Sequence, residues 1–164
     1  MNNTEVGSES RYDIETSVMF PQATHIDVGA IAAATQPWWN RTLTEVNDAV
    51  VRLGVLEGDF HWHKHDEEDE FFFVLEGRLD IELEDRSVTL EPMQGFTVPK
   101  GVMHFPHARG RVVVLMVEKA SCPPEAEPEA CGVLDRPIRP ALRTSLGMAV
   151  FHLRLELRNP SHTA

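Results

Sequence analysis

Hydrophobic residues in this chain recur at every second position over short runs, the period of a β-strand with one covered face. Val51, Leu53 and Val55 alternate with Arg52 and Gly54, and Gly58-Asp59 gives a turn signal before a histidine-rich run. Leu79, Ile81 and Leu83 against Arg78, Asp80, Glu82 and Glu84 form the clearest alternation and predict a strand with one wet face. Asp85-Arg86 turns the chain, Val88 and Leu90 continue it, and Glu91 to Gly95 make a loop. Phe96 to Val98 then lead through the Pro99-Lys100-Gly101 turn into a further strand. Strands at this spacing predict an all-β barrel or sandwich with no long helix interrupting it. Two stretches, Phe71 to Leu75 and Val112 to Val117, are apolar on both faces. Their outer faces need a cover from the N-terminal segment, the C-terminal tail or a second subunit.

The two ends of the chain differ from this middle. Residues 1 to 15 lack periodicity and predict a mobile arm. Asp27 to Ala34 is Ala-rich and predicts two helical turns, with Asp27 as N-cap and Pro37 as terminator. Trp38-Trp39 reads as a lid or interface patch, because paired indoles bury a large area. Past Ala120, Pro123, Pro124, Pro128, Pro137 and Pro140 mark an extended linker. Phe151, Leu153, Leu155 and Leu157 then alternate with His152, Arg154, Glu156 and Arg158, which is one amphipathic strand able to pair with a barrel edge of its own or a neighbouring chain. The competing expectation for that stretch is a disordered tail. The chain therefore divides into an N-terminal arm and short helix (1–44), a β-barrel (45–120), and a Pro-rich linker with a C-terminal strand or tail (121–164).

Candidate chemistry lies between the alternating runs. On an extended strand His63 and His65 leave one face while Trp62 and Lys64 leave the other, so two imidazoles can converge. A turn through Asp66 to Asp69 lets the chain re-enter with Glu70 pointing inward, and His104 follows on a third strand. Three neutral imidazoles and one carboxylate suit one divalent Zn, Fe, Mn, Ni or Cu ion rather than Ca or Mg. The acidic run lacks the ligand spacing and central glycine of a calcium loop and reads as a solvated turn. His61 also faces inward, and simple geometry permits His61 with His63 as the ligand pair. His107 points away from His104 and reads as structural, whereas Lys64 and Lys100 read as surface residues.

The segments His63-x-His65, Glu70 to Gly77, and Pro99-x-Gly101 followed by His104 resemble the two motifs of the cupin superfamily. Trp62 to Asp66 and Glu70 to Gly77 are similar to the small single-domain cupins called mannose-6-phosphate isomerase-like. The resemblance spans roughly residues 45 to 120. It implies a jelly-roll, or double-stranded β-helix, barrel of six to eight strands, with His63, His65, Glu70 and His104 as metal ligands. It also implies a homodimer. Under that assignment His61 is a group behind the ligands, a proton shuttle, a substrate contact, or a cap on the barrel mouth. Two positions depart from the family pattern: Met93 stands where a glycine is usual, with Gly95 two residues on, and Ala108 replaces a frequent asparagine.

Size and charge narrow the readings. At 164 residues one domain with a real core is expected. Cys122 and Cys131 lie in the proline-rich stretch and read as free thiols. The first residues have neither a basic nor an apolar leader pattern, and the longest apolar run is too short to cross a bilayer, so a cytoplasmic protein without membrane attachment is expected. The net charge is −11, and residues 122 to 164 hold five Arg and five acidic residues, so the whole excess belongs to the first 121. That surface disfavours nucleic acid and is unfavourable for a multiply charged phosphate, unless a buried Lys or Arg beside the site reverses the field locally.

Two functions fit these residues. One is a metal-dependent enzyme acting on a small organic molecule inside the barrel, dioxygenase-like or isomerase-like, with His61 as the one evident additional acid or base. Phe72 and Val74, on Glu70's face, would line a dry cavity. No Ser-His-Asp set, phosphate loop or second carboxylate at catalytic spacing is evident. The other is a non-catalytic metal- or ligand-binding protein, a sensor or accessory subunit. A roomy cavity at an open coordination position favours the first, and a plugged barrel mouth the second.

Overall fold

The strands of the computed structural model, which describes residues 12–120, answer to runs of branched or aromatic residues between turn signals, except for the three residues Asp13–Glu15. In chain order these are β1 (Asp13–Glu15), α1 (Val28–Ala33), β2 (Trp39–Val46), β3 (Ala49–Asp59), β4 (Glu70–Glu76), β5 (Leu79–Leu83), β6 (Ser87–Leu90), β7 (Gly95–Val98) and β8 (His104–Lys119). The sheet runs β1-β2-β3-β8-β4-β7, with β5 paired to both β6 and β8. The fold is the expected all-β barrel. No helix among the described residues is long and apolar enough to cross a membrane.

The 16-residue β8 closes the barrel by changing partners along its length. Its first residues pair with β5, from Leu83↔His104 to Asp80↔His107. From His107 onward it pairs with β3, and its last third also pairs with β4 through Phe71↔Val117, Phe72↔Met116 and Phe73↔Leu115. Such a bend needs local irregularity, and the register shifts between Leu56 and Gly58 and between Val74 and Glu76. Gly58 has φ 89° at the first of these. The Gly58-Asp59 turn expected from sequence is therefore a bulge inside a strand that continues to Asp59. Gly77, φ 78°, joins β4 to β5 where a Cβ would lie 2.4 Å from the Arg111 carbonyl oxygen, so no larger residue fits.

Both faces of the apolar runs are accounted for. Val112, Val114 and Met116 point into the barrel with Leu56, Phe72, Val74, Leu79 and Ile81. Val113 and the partly buried Leu115 point outward into a second cluster with Leu43, Leu53, Val55 and Ala32. The cover over this part of the outer face is the N-terminal segment: Phe20, Ile26, Val28 and Ile31 pack on it. At six residues α1 is too short to persist alone, and this packing holds it in place. Asp27 caps it, accepting a hydrogen bond from the Ala30 amide at 2.9 Å.

Three expectations change here. Asp13–Glu15 is a strand parallel to β2 rather than a mobile arm, tied by Arg41 to Asp13 at 2.7 Å and to Glu15 at 3.2 Å. Both carboxylates are largely exposed, so those ion pairs fix position more than they stabilise. The face of β5 read as wet buries Asp80, which accepts from the Thr89 hydroxyl at 2.6 Å beneath Arg78 and Arg109. Burial alone would raise its pKa, but those partners outweigh it and hold the carboxyl below its usual range. Glu68, read as part of a solvated turn, has a side chain only 13% exposed and lies beside His65. The strand read over Phe151 to Arg158 lies outside the described residues.

Candidate metal centre

The histidine run sits beside the start of β8 rather than inside a regular strand. His63 and His104 exchange both backbone hydrogen bonds, at 3.0 and 2.9 Å, as an isolated antiparallel bridge. The Phe60 amide donates to the Pro106 carbonyl, and the Gly101 amide donates to that of His65. These bonds keep the segment extended, so His63 and His65 are buried while Trp62 stacks on Phe105. Glu70 enters as the first residue of β4 and is 6% exposed, and His104 is fully buried.

The four side chains meet. One ligand atom from each of His63, His65, Glu70 and His104 lies within 4.8 Å of every other. Glu70 Oε2 is 3.1 Å from His104 Nε2, 3.2 Å from His65 Nε2 and 4.0 Å from His63 Nε2. Ligands held at about 2.1 Å from a common ion can be at most about 4.2 Å apart, so the set fits a transition-metal ion after contraction by a few tenths of an ångström.

Hydrogen bonding makes the fit more specific. His63 Nδ1 faces the His61 carbonyl oxygen at 3.0 Å, and His104 Nδ1 faces that of Val102 at 3.1 Å. A neutral imidazole carries one N–H. With that proton donated to the backbone carbonyl, the Nε2 lone pair is aimed inward. For His104 the lone pair then meets a carboxylate oxygen at 3.1 Å, an acceptor facing an acceptor. Either a second proton on His104 or a cation between the two atoms must relieve that contact.

Burial and the neighbouring rings set the charge states of the other members of the cluster. His63 is pushed down to about 3, by burial above all and then by His104, with Glu70 opposing only in part. Burial would raise Glu70, but the His104 and His65 rings set against it outweigh that and keep the carboxyl well below its usual range. Metal binding requires such neutral rings and an ionised carboxylate.

His61 faces the same interior, its ring 3.9 Å from that of Phe60 and 5.4 Å from that of His63. Neither ring nitrogen has a hydrogen-bond partner among the described residues, and burial, then His104, lowers its pKa. It is not in the four-residue cluster. His107 pairs instead with Asp59, on the neighbouring strand.

A cavity of about 40 Å³ opens beside the cluster, lined by Ile14, Asn40, Arg52, Phe60, His63, His65, Glu70, Met116 and Glu118. A second lobe of about 50 Å³ adds Trp38, Leu56, Phe72 and Pro106 to several of these walls. Each lobe has room for roughly three or four water molecules. The charged pair in this wall escaped the sequence reading: Arg52 and Glu118 are 2% and 6% exposed, with Arg52 Nε 3.5 Å from Glu118 Oε1. Arg52 also donates to Asn40 Oδ1, to the Thr42 hydroxyl and to the Glu15 carbonyl. Glu118 is pushed up to about 7, first by burial and next by Glu70, against the pull of Arg52. The cavity thus contains a second carboxylate, and its buried Arg is offset by it.

A family model described as the cupin domain matches residues 49–118. The chain is 41% identical over 80 residues to the Bacillus subtilis protein YdbB, itself uncharacterized, covering 48% of this chain and 71% of that one. Among solved structures, a cupin-2 domain containing protein from Shewanella frigidimarina is 35% identical, with a TM-score of 0.55 over 57% of this chain and 93% of that chain. NMB1881 from Neisseria meningitidis is 26% identical, TM-score 0.53, over 58% of this chain and 99% of that one. The hydroquinone 1,2-dioxygenase PnpCD, in complex with Cd2+ and 4-hydroxybenzonitrile, is 19% identical with a TM-score of 0.51 over 60% of this chain and 72% of that chain, a likeness of fold alone.

Proposed function

This chain belongs to the cupin superfamily, and from that premise we propose that it is a metal-dependent enzyme acting on a small organic molecule in the barrel. His63, His65, Glu70 and His104 hold one divalent transition-metal ion, and His61, beside them, is the acid–base or substrate-contacting residue. The observation that carries this reading is the convergence of His63, His65, Glu70 and His104, one ligand atom of each lying within 4.8 Å of every other in a buried pocket. When bound, the ion supplies Lewis acidity or, if redox-active, a route for electrons.

The protein's own residues set the remaining conditions. Phe60, Phe72, Met116 and Trp38 form the apolar part of the cavity wall. Arg52, Glu70 and Glu118 sum to one negative charge when both carboxyls are ionised, so a dication brings the site to about +1. That balance suits a neutral or singly charged oxygen compound better than a phosphate dianion. It argues for oxygenase-type chemistry, or proton transfer in an isomerase, and against sugar-phosphate turnover. Assignment to the mannose-6-phosphate isomerase-like subtype, a label of motif similarity rather than of reaction, is proposed with it from Trp62 to Asp66 and Glu70 to Gly77, together with the homodimer that this resemblance implies and a cytoplasmic setting. A non-catalytic ligand-binding role is the second reading, and the small size of the two lobes favours it.

Elemental analysis of the full chain purified without added metal tests the proposal. One ion per chain is expected. Iron points to oxygen chemistry, and zinc or manganese to isomerisation or binding. A protein free of metal that also takes up none on titration with Fe, Mn, Zn, Ni or Cu contradicts the proposal.

A further inference from the structure

The inner face of the barrel carries a polar row that the four-residue cluster does not use. Thr42 on β2 is directly opposite Arg52 on β3, and Arg52 is opposite Met116 on β8. Val50 is opposite Glu118, which puts Arg52 and Glu118 on the diagonal between the two strands. Phe71↔Val117 and Phe72↔Met116 define the pairing of β4 with β8, and one further step in that register sets Glu70 opposite Glu118. The second carboxylate is therefore a cross-strand neighbour of the cluster's own carboxylate.

Glu118 is held but not satisfied. Its Oε1 has no hydrogen-bond donor among the described residues, and Arg52, 3.5 Å away, spends its Nε proton on Asn40. A buried carboxylate oxygen left unpaired costs on the order of 1–3 kcal/mol, so its retention on a cavity wall requires a reason. We propose, building on the metal-site reading above, that the Glu118 carboxylate accepts a hydrogen bond from a hydroxyl group of the small organic ligand whose neighbouring oxygen meets the metal, with Arg52 and Asn40 fixing the carboxylate in position.

The geometry restricts the ligand class. Cβ atoms of directly opposed residues are about 4.5–5.5 Å apart. A small molecule whose two oxygens are on adjacent or nearly adjacent carbons is of a size to span from the metal to Glu118. The ligand is therefore a small hydroxylated carboxylate, ketone or diol, and the two lobes limit it to a few heavy atoms.

The test uses the full chain loaded with cobalt(II), whose visible absorption reports the ion and its exogenous ligands. Glycolate and acetate are titrated in turn, since they differ by one hydroxyl. The wild-type protein should bind glycolate at least about tenfold more tightly, one charge-assisted hydrogen bond being of that size. Glu118→Ala should keep one cobalt per chain and should lose the preference for glycolate over acetate, a ratio in which the charge removed cancels because both ligands are monoanions. Glu118→Gln, which keeps a carbonyl acceptor and serves if the alanine variant fails to fold, should retain a preference of a few-fold. An undiminished glycolate preference in either variant, or no preference in wild type, overturns the proposal. Loss of cobalt from either variant overturns it too, because Glu118 would then be a metal ligand. A wild-type chain that takes up no cobalt defeats the underlying metal reading instead, a different and separately visible failure.

Discussion

Replacing Glu118 with Gln should make the metal-free protein more stable, and only towards alkaline pH. The carboxyl is 6% exposed, and its proton is held from the ordinary 4.5 up to about 7, mostly by burial and secondarily by Glu70. Between those two values the folded chain keeps a proton that the unfolded chain has released, so this group's contribution falls as pH rises through the window. At 1.36 kcal/mol per pH unit the ceiling is about 3 kcal/mol, reached above pH 7. Glutamine keeps the shape and a carbonyl acceptor without the charge, and Arg52 retains Asn40, Thr42 and the Glu15 carbonyl. His63 titrates across an overlapping range with the opposite sign. Its folded value near 3 makes its contribution complete above about 6.5 and lost as pH falls towards 3. His63 is common to both proteins, so the difference between them isolates residue 118. Urea unfolding of both, with chelator present, should show the variant about 1–3 kcal/mol more stable near pH 8 and equal to wild type near pH 4. A variant no more stable at the higher pH refutes the assignment of Glu118 as a buried, charge-strained carboxylate.

His104→Ala should weaken metal binding by about 100-fold, a quarter share of a typical structural-site free energy, as read by competition against a chromogenic chelator; unchanged affinity removes His104 from the ligand set. His61→Ala should retain the metal at one per chain while shifting acetate affinity for the cobalt-loaded protein several-fold, and loss of the metal would instead make His61 a ligand. Met93→Gly should stabilise the fold by about 0.5–1 kcal/mol in thermal or urea unfolding, because Met93 has φ 67° and is 72% exposed, so little packing is lost; a destabilised variant contradicts the assigned left-handed backbone.

The residues that alternate most cleanly made the strands legible, and motif spacing made the four-residue cluster legible. A period of two shows that a strand has two faces without showing which one lines the cavity. In β3 the apolar set Leu53 and Val55 faces α1, while Arg52 faces the barrel, the reverse of the usual polar-out expectation. The same ambiguity hid Glu118. It continues the inner face of Val112, Val114 and Met116, at the end of a run whose other face is equally apolar. A lone charge in step with the inward residues of a strand was the available signal. Met93 shows the converse: the glycine expected at that turn is missing, but the backbone still adopts the left-handed conformation, because an exposed side chain tolerates it. The parallel pairing of β1 was beyond periodicity, since three residues held by Arg41 carry no repeating pattern.

Anomalous diffraction from crystals of the full chain, collected on both sides of the absorption edge of the bound metal, tests the central claim most directly. The account predicts one peak within about 2.2 Å of Nε2 of His63, His65 and His104 and of a Glu70 oxygen. A peak elsewhere in the barrel, or a metal-soaked crystal with no peak between these four residues, contradicts it.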